Sequence, residues 1–252
     1  MSPLEIVTIP CLKDNYAYLL IEAGLCAVID PPEAAPVEAA LAARGVKLTH
    51  ILNTHHHWDH TGGNLTLKAK HGAIVVGPEK DRARIPGIDI GVTEASGWRF
   101  GDHAAGILEV PAHTSGAIAF VFDDAVFTGD TLFAMGCGRL FEGTAQTMLN
   151  SLAKLSALPD RTAIYCGHEY TLNNGRFALT LEPHNDDLQS RMKEVEALRA
   201  KSVPTIPSDI GIEKKTNPFL RTGSAEIRAT LKMETADAVE VFAEIRRRKD
   251  TF

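Results

Sequence analysis

Cysteine is scarce in this chain of 252 residues, and the four present, Cys11, Cys26, Cys137 and Cys166, form no CxxC pair. That spacing excludes a zinc ribbon and gives no sign of a disulfide framework, so buried thiols in a reducing compartment are expected. Long hydrophobic runs are also missing. The longest apolar stretch, around Gly116 to Phe122, falls far short of the roughly 20 residues that a membrane span requires. The opening segment MSPLEIVTIPCLKDNY has neither the basic start nor the apolar middle of a secretory signal, and a cytoplasmic protein is expected. Basic charge is in deficit, with a formal net charge of -6. Such a chain has no general attraction for nucleic acid or anionic membranes, and any anionic ligand must be held by a local cluster. One candidate cluster is RRRK, Arg246 to Lys249.

What is present is the balance of a folded globular protein, 44% hydrophobic and 23% charged. Short apolar runs alternate with turn signals over the first two thirds: YAYLLIE, CAVID, THILNT, AIVVG, GILEVPA, AIAFVFDDAVFTGD and TAIYCGHE read as strands. Helical patterns lie between some of them, in PVEAALAARG and TMLNSLAKLSALPD, which makes the class mixed α/β. After Tyr170 the strand signals stop. Helical spacing over Leu188 to Lys201, a proline-rich connector SVPTIPSDIG, and two further helical patterns, Ala225 to Lys232 and Ala236 to Lys249, predict a small helical domain. The expected division is residues 1–172 and 173–252.

The densest chemistry is in THHHWDHTGG, Thr54 to Gly63. THILNT ends where this motif begins, which places the histidines at the C-terminal end of a strand, where α/β proteins commonly build their sites. In extended backbone His55 and His57 point to one side and His56 to the other. A helix opening in GGNLTLKAKHG then lets Asp59 and His60 face a second point close to the first. Imidazole and carboxylate suit zinc, iron or manganese, and the lack of thiolate points to an open, catalytic site. Further ligands are expected at three other strand ends: His113 in EVPAHTSG, Asp130 in FTGDTLF and His168 in YCGHEYT. Asp130 is the candidate to bridge two metals. His50, His71, His103 and His184 have no ligand-like neighbours and are assigned no role, and Trp58 reads as packing.

HxHxDH, the later lone histidine, the GD aspartate and the GHE histidine resemble the metallo-β-lactamase superfamily. Within it, DNYAYLL, GDTLFAMGCGRLFEGT, YCGHEYTLNN, NPFLR and RRRKD resemble the hydroxyacylglutathione hydrolase (glyoxalase II) family across both expected domains. The resemblance implies an αββα sandwich with a C-terminal all-helical domain that binds substrate. It implies a binuclear site in which His55, His57 and His113 hold one metal, Asp59, His60 and His168 the other, and Asp130 bridges them. Zinc is expected, with iron and manganese as the alternatives. The implied reaction is hydrolysis of S-(2-hydroxyacyl)glutathione thioesters, S-D-lactoylglutathione first among them, by a metal-bridging hydroxide that Asp59 orients. A monomer is expected.

Arg246 and Lys249 are three apart on a predicted helix and so share a face, suited to a glutathione carboxylate. By the resemblance, Arg139, Phe141 and Tyr170 meet the rest of the glutathione. Arg139 stands where lysine is frequent in the family and Phe141 where tyrosine is frequent, exchanging a point charge for a planar fork and removing one hydroxyl. The alternative enzymatic reading is a mononuclear iron persulfide dioxygenase of the same superfamily, which the basic helical tail disfavours.

Overall fold

The computed structural model describes residues 4–252. Two compact units divide the chain: Met1–Glu109 with Thr114–Gly129, and Val110–His113 with Asp130–Phe252.

In the first unit the elements run β1 (Glu5–Cys11), β2 (Asn15–Glu22), β3 (Leu25–Ile29), α1 (Ala34–Arg44), β4 (His50–Leu52), α2 (Trp58–Thr61), α3 (Asn64–His71), β5 (Ile74–Pro78), β6 (Ile90–Val92), β7 (Trp98–Phe100), β8 (His103–Glu109), β9 (Ile118–Phe122) and β10 (Ala125–Gly129). One sheet has the order β1-β2-β3-β4-β5-β6, antiparallel at β1 to β3 and parallel from β3 onward. The other strands form an antiparallel meander from β7 to β10.

β2 is buried from Asn15 to Leu20 with no polar face. Such unbroken burial is what a strand covered on both sides requires. Ala17, Leu19 and Val28 pack with Val37, Leu41 and Leu67 of α1 and α3. Alternate residues point the other way, where Tyr18 meets Phe127 of β10 at 5.5 Å and His50 of β4 meets Phe100 of β7 at 5.6 Å between ring centres. The unit is thus layered helix, sheet, sheet.

The second unit continues with β11 (Leu132–Phe133), β12 (Gly136–Cys137), α4 (Ala145–Ser156), β13 (Ala163–Cys166), α5 (Thr171–Leu181), α6 (Asp186–Arg199), β14 (Ser208–Asp209), α7 (Ile210–Thr216), α8 (Ala225–Leu231) and α9 (Ala238–Asp250). β11 and β12 make a two-stranded hairpin, and β13 pairs antiparallel with β14. Met135, Ala178, Leu188, Met192 and Val195 form its local core between the hairpin and helices α5 and α6. At α9, Asp237 and Glu240 close a reciprocal capping box that fixes the start of the basic helix.

The mixed α/β class and the helical C-terminal region are as the sequence predicts, with differences of detail. β1 and the short strands β6, β7, β11, β12 and β14 were not legible as strands. β14 lies inside the segment read as a proline-rich connector, and α5 and α7 had no assigned helical pattern.

Candidate metal centre

β4 ends at Leu52, and the amide of Asn53 donates to the Val76 carbonyl at 2.8 Å, carrying the strand's direction to the edge of the motif. His57, with φ -60° and ψ 145°, caps α2, so the helical turn starts inside the motif at Trp58 rather than after it. That turn sets Asp59 and His60 beside the extended His55 and His57. The His55 ring lies 4.8 Å from His57 and 4.2 Å from His60, and His60 Nε2 is 3.8 Å from Asp59 Oδ2. His56 turns to Asp81 instead, with Nδ1 3.0 Å from its carboxylate.

Three side chains that sequence reasoning did not single out hold this loop. Asp30, at the end of β3, accepts from Thr54 N at 2.7 Å and Thr54 Oγ1 at 2.6 Å, and its Oδ2 lies 3.2 Å from His60 Nδ1. Thr54 Oγ1 lies 3.0 Å from His55 Nδ1. Asn15 donates through Nδ2 to Asp59 Oδ2 at 3.1 Å and to its carbonyl at 3.0 Å. The signal for Asp30 was available: it ends CAVID, an apolar strand, as the other candidates end theirs. Gly129 is demanded by the same network. Its φ is +49°, and a Cβ there would sit 2.2 Å from Thr54 Oγ1.

In the second unit, His113 Nε2 and His168 Nε2 lie 3.4 and 3.2 Å from the same atom, Asp130 Oδ2. His113 Nδ1 is 3.0 Å from the Arg139 carbonyl. All three side chains are buried. The His168 ring stacks on Tyr170 with centres 4.7 Å apart and planes 3° from parallel.

The donor set fits metal ions: imidazoles and carboxylates in the loops that follow strands and on the helical turn α2, with no thiolate among them. For His55, His60 and His113 a hydroxyl, carboxylate or carbonyl partner sits at Nδ1, which fixes the ring and presents Nε2 as the ligand atom.

The residues assigned to glutathione are distributed less evenly. Arg139 and Phe141 are exposed, with Phe141 5.2 Å from the His113 ring, and Tyr170 is partly exposed at 38%. Lys249 lies over the rings of Phe177 and Phe252 at 5.5 and 5.2 Å and contacts Asn173 Oδ1. Burial, helped by the nearby cations Arg246 and Arg139, pulls its pKa down to about 8. Arg246 does not share that position. Although spacing puts it on the same helix face, it is 6% exposed, donates to the Cys137 carbonyl at 2.9 Å, pairs with Asp250 at 2.8 Å and lies over Phe219 at 5.1 Å. Its guanidinium ties α9 to the β11–β12 hairpin.

Trp58, expected to pack, is 71% exposed, because it opens α2 on the side away from the core. The remaining histidines are occupied locally: His71 with Glu38 at 2.9 Å, His103 with Asp123 at 2.7 Å, His184 with Glu226 at 2.8 Å, and His50 against Trp98 and Phe100. All four cysteines are buried without a disulfide, and burial raises each thiol pKa to about 12.

Comparison with known proteins agrees with this geometry. Residues 13–168 match the metallo-beta-lactamase superfamily and residues 169–252 match the hydroxyacylglutathione hydrolase C-terminus. A hydroxyacylglutathione hydrolase of Methylococcus capsulatus is 56% identical over 99% of this chain and 99% of its own. One of Rhizobium johnstonii is 51% identical over the full length of both. Among solved structures, ETHE1 from Myxococcus xanthus superposes with a TM-score of 0.67 at 24% identity, covering 97% of this chain and 98% of its own, and that likeness shows the fold alone. The fold with its His/Asp clusters suggests a binuclear metal site. With one match covering residues 13–168 and the other residues 169–252, and with full-length relatives at more than half identity, the chain belongs to the hydroxyacylglutathione hydrolase family of metallo-β-lactamase-fold enzymes.

Proposed function

We propose that the protein hydrolyses S-(2-hydroxyacyl)glutathione thioesters, with S-D-lactoylglutathione as the main substrate and glutathione and D-lactate as products. His55, His57 and His113 would hold one metal, Asp59, His60 and His168 the other, and Asp130 would bridge, with zinc the expected ion. The observation that carries the reading is the pairing, in one chain, of strand-end His/Asp sets whose rings are locked at Nδ1 with a C-terminal region of the hydroxyacylglutathione hydrolase type. That C-terminal match is specific to this family and supports the hydrolase over the persulfide dioxygenase.

When bound, two metals supply Lewis acidity and draw the pKa of water toward about 7. The chain's own residues do the rest. Asp59, fixed by Asn15, accepts a hydrogen bond from the attacking water and turns its lone pair toward the carbonyl. Lys249 supplies a cation for a glutathione carboxylate, with Arg139 and Tyr170 on the peptide. Arg246 positions α9 and the hairpin rather than clamping the ligand. The leaving thiolate, with a conjugate acid near the cysteine value of about 8.5, departs without a dedicated general acid.

The same reading assigns residues 1–172 to catalysis, with Arg139 and Tyr170 also reaching the substrate, and 173–252 to substrate binding, a division supported by the family boundary at 168/169 that differs from the compact units, in which residues 130–252 fall together. The proposed cytoplasmic location rests on the four thiols, none in a disulfide. No helix of the described residues is long and apolar enough to cross a membrane. A monomer without nucleic-acid partners completes the proposal. The test is loss of thioester absorbance with purified protein. Wild type should turn over S-D-lactoylglutathione and Asp59→Ala should nearly abolish turnover; an inactive wild type holding its metals refutes the reading.

A further inference from the structure

Glu213 is a carboxylate with no solvent exposure that the proposed chemistry does not use. Its Oε1 accepts from Arg191 Nη2 and Ser208 Oγ, both at 2.5 Å, and its Oε2 accepts from Met135 N at 2.8 Å and Asn217 Nδ2 at 3.0 Å. Met135 is the turn of the β11–β12 hairpin and holds φ +53°, a conformation that costs a non-glycine residue and persists only where its surroundings enforce it. The enforcement comes from the helices. Besides Glu213 on Met135 N, Asn217 Nδ2 donates to the carbonyls of Phe133 at 3.1 Å and Gly136 at 3.0 Å, and Asn174 Nδ2 donates to that of Ala134 at 3.1 Å. Four consecutive residues of the hairpin, 133–136, thus each have one backbone group bound by one of three side chains.

The hairpin is the only stretch of chain between Asp130 and Arg139. Gly138 N donates to Thr131 O at 3.2 Å, closing its base, and the Arg139 carbonyl faces His113 Nδ1. A shift of the turn therefore moves Asp130 at one end and, at the other, both Arg139 and the partner of His113. We infer that Glu213, with Asn217, is a positioning residue: it fixes the hairpin from α7 and thereby sets the place of the bridging carboxylate and of the cation assigned to glutathione. The inference rests on the proposed function for the identity of the metal ligands.

Glu213→Gln keeps the shape, but its single carbonyl oxygen goes to the charged Arg191 guanidinium, the stronger donor, and the amide nitrogen then faces Met135 N, which loses its acceptor. Metal affinity, measured by competition with a chromophoric chelator, should fall severalfold in Glu213→Gln, less than the roughly 10- to 100-fold that losing a direct hydrogen-bond partner of a ligand costs, because Glu213 acts through the hairpin. KM should rise with it. The control is Glu182→Gln. Glu182 is also buried but accepts from Arg221 and Ser224 rather than from a backbone group of the hairpin; its loss should lower Tm and leave metal affinity within about twofold. Glu213→Asp keeps the charge beside Arg191 while withdrawing from Met135 N, and should show the same loss in smaller degree in a folded protein. Unchanged metal affinity in folded Glu213→Asp or Glu213→Gln, or equal losses in the Glu182 control, overturns the inference. A wild type that binds no metal pair refutes the proposed function instead.

Discussion

Replacing Asn15 by alanine isolates one contribution to catalysis. Asn15 is 5% exposed and makes its two side-chain donations to the same residue, Asp59, at 3.0 and 3.1 Å. Alanine removes both and leaves the protein backbone of β2 untouched. A hydrogen bond from a neutral donor to a charged carboxylate contributes roughly 1.5–3 kcal/mol. If that energy holds Asp59 in the orientation needed at the transition state, kcat falls by about 10- to 100-fold, each 1.36 kcal/mol being a factor of about ten. KM for S-D-lactoylglutathione should stay within about twofold, because Asn15 lies on no element assigned to glutathione. A thermal melt provides the control: at roughly 2–4 °C per kcal/mol for a chain of this size, the drop in Tm should stay under about 12 °C. Asn15→Asp should be worse, since it sets a carboxylate against a carboxylate. A kcat within about twofold of wild type in Asn15→Ala would refute the claim that this contact orients Asp59.

The pH dependence of KM should report Lys249. With its pKa lowered by burial to about 8, the amine carries its charge below that pH and loses it as the pH rises through it. KM should therefore climb above about pH 8 while kcat does not follow, Lys249→Arg should flatten the climb, and Lys249→Ala should raise KM about tenfold at pH 7, the cost of one charge-assisted bond; a pH-independent KM in wild type contradicts the assignment. Gly129→Ala should cost roughly 2–4 kcal/mol, from the left-handed backbone and from pushing Thr54 off Asp30, read as a lower Tm. A Tm within about 2 °C of wild type would show that the Thr54 contact is not tight.

Much of the candidate metal centre is marked in the sequence because its chemistry is local. His55 to His60 are bound to one strand end and one helical turn, so spacing alone brings them together, and the apolar runs before His113, Asp130 and His168 mark each as lying in the loop that follows a strand. What spacing cannot show is which partner a side chain finds in another part of the chain. Arg246 and Lys249 look equivalent on a helix face, yet Arg246 is drawn onto the Cys137 carbonyl across 109 positions of sequence. Asp30 and Asn15 escape notice for the same reason, their importance lying in contacts 24 to 44 residues away. Strands of two or three residues, such as β11, β12 and β14, are too short to show a period. α5 hides behind Asn173, Asn174 and Gly175, poor helix formers, of which Gly175 is needed because a Cβ there would meet Met192 Sδ at 2.0 Å.

The central claim is that seven side chains share two metal ions, and metal analysis against activity tests it most directly. Protein titrated with metal after exhaustive chelation should regain thioester hydrolysis as occupancy approaches two ions per chain, and Asp130→Ala should fail to reach that occupancy. Full activity at one ion per chain, or hydrolysis that survives complete chelation, would contradict the account.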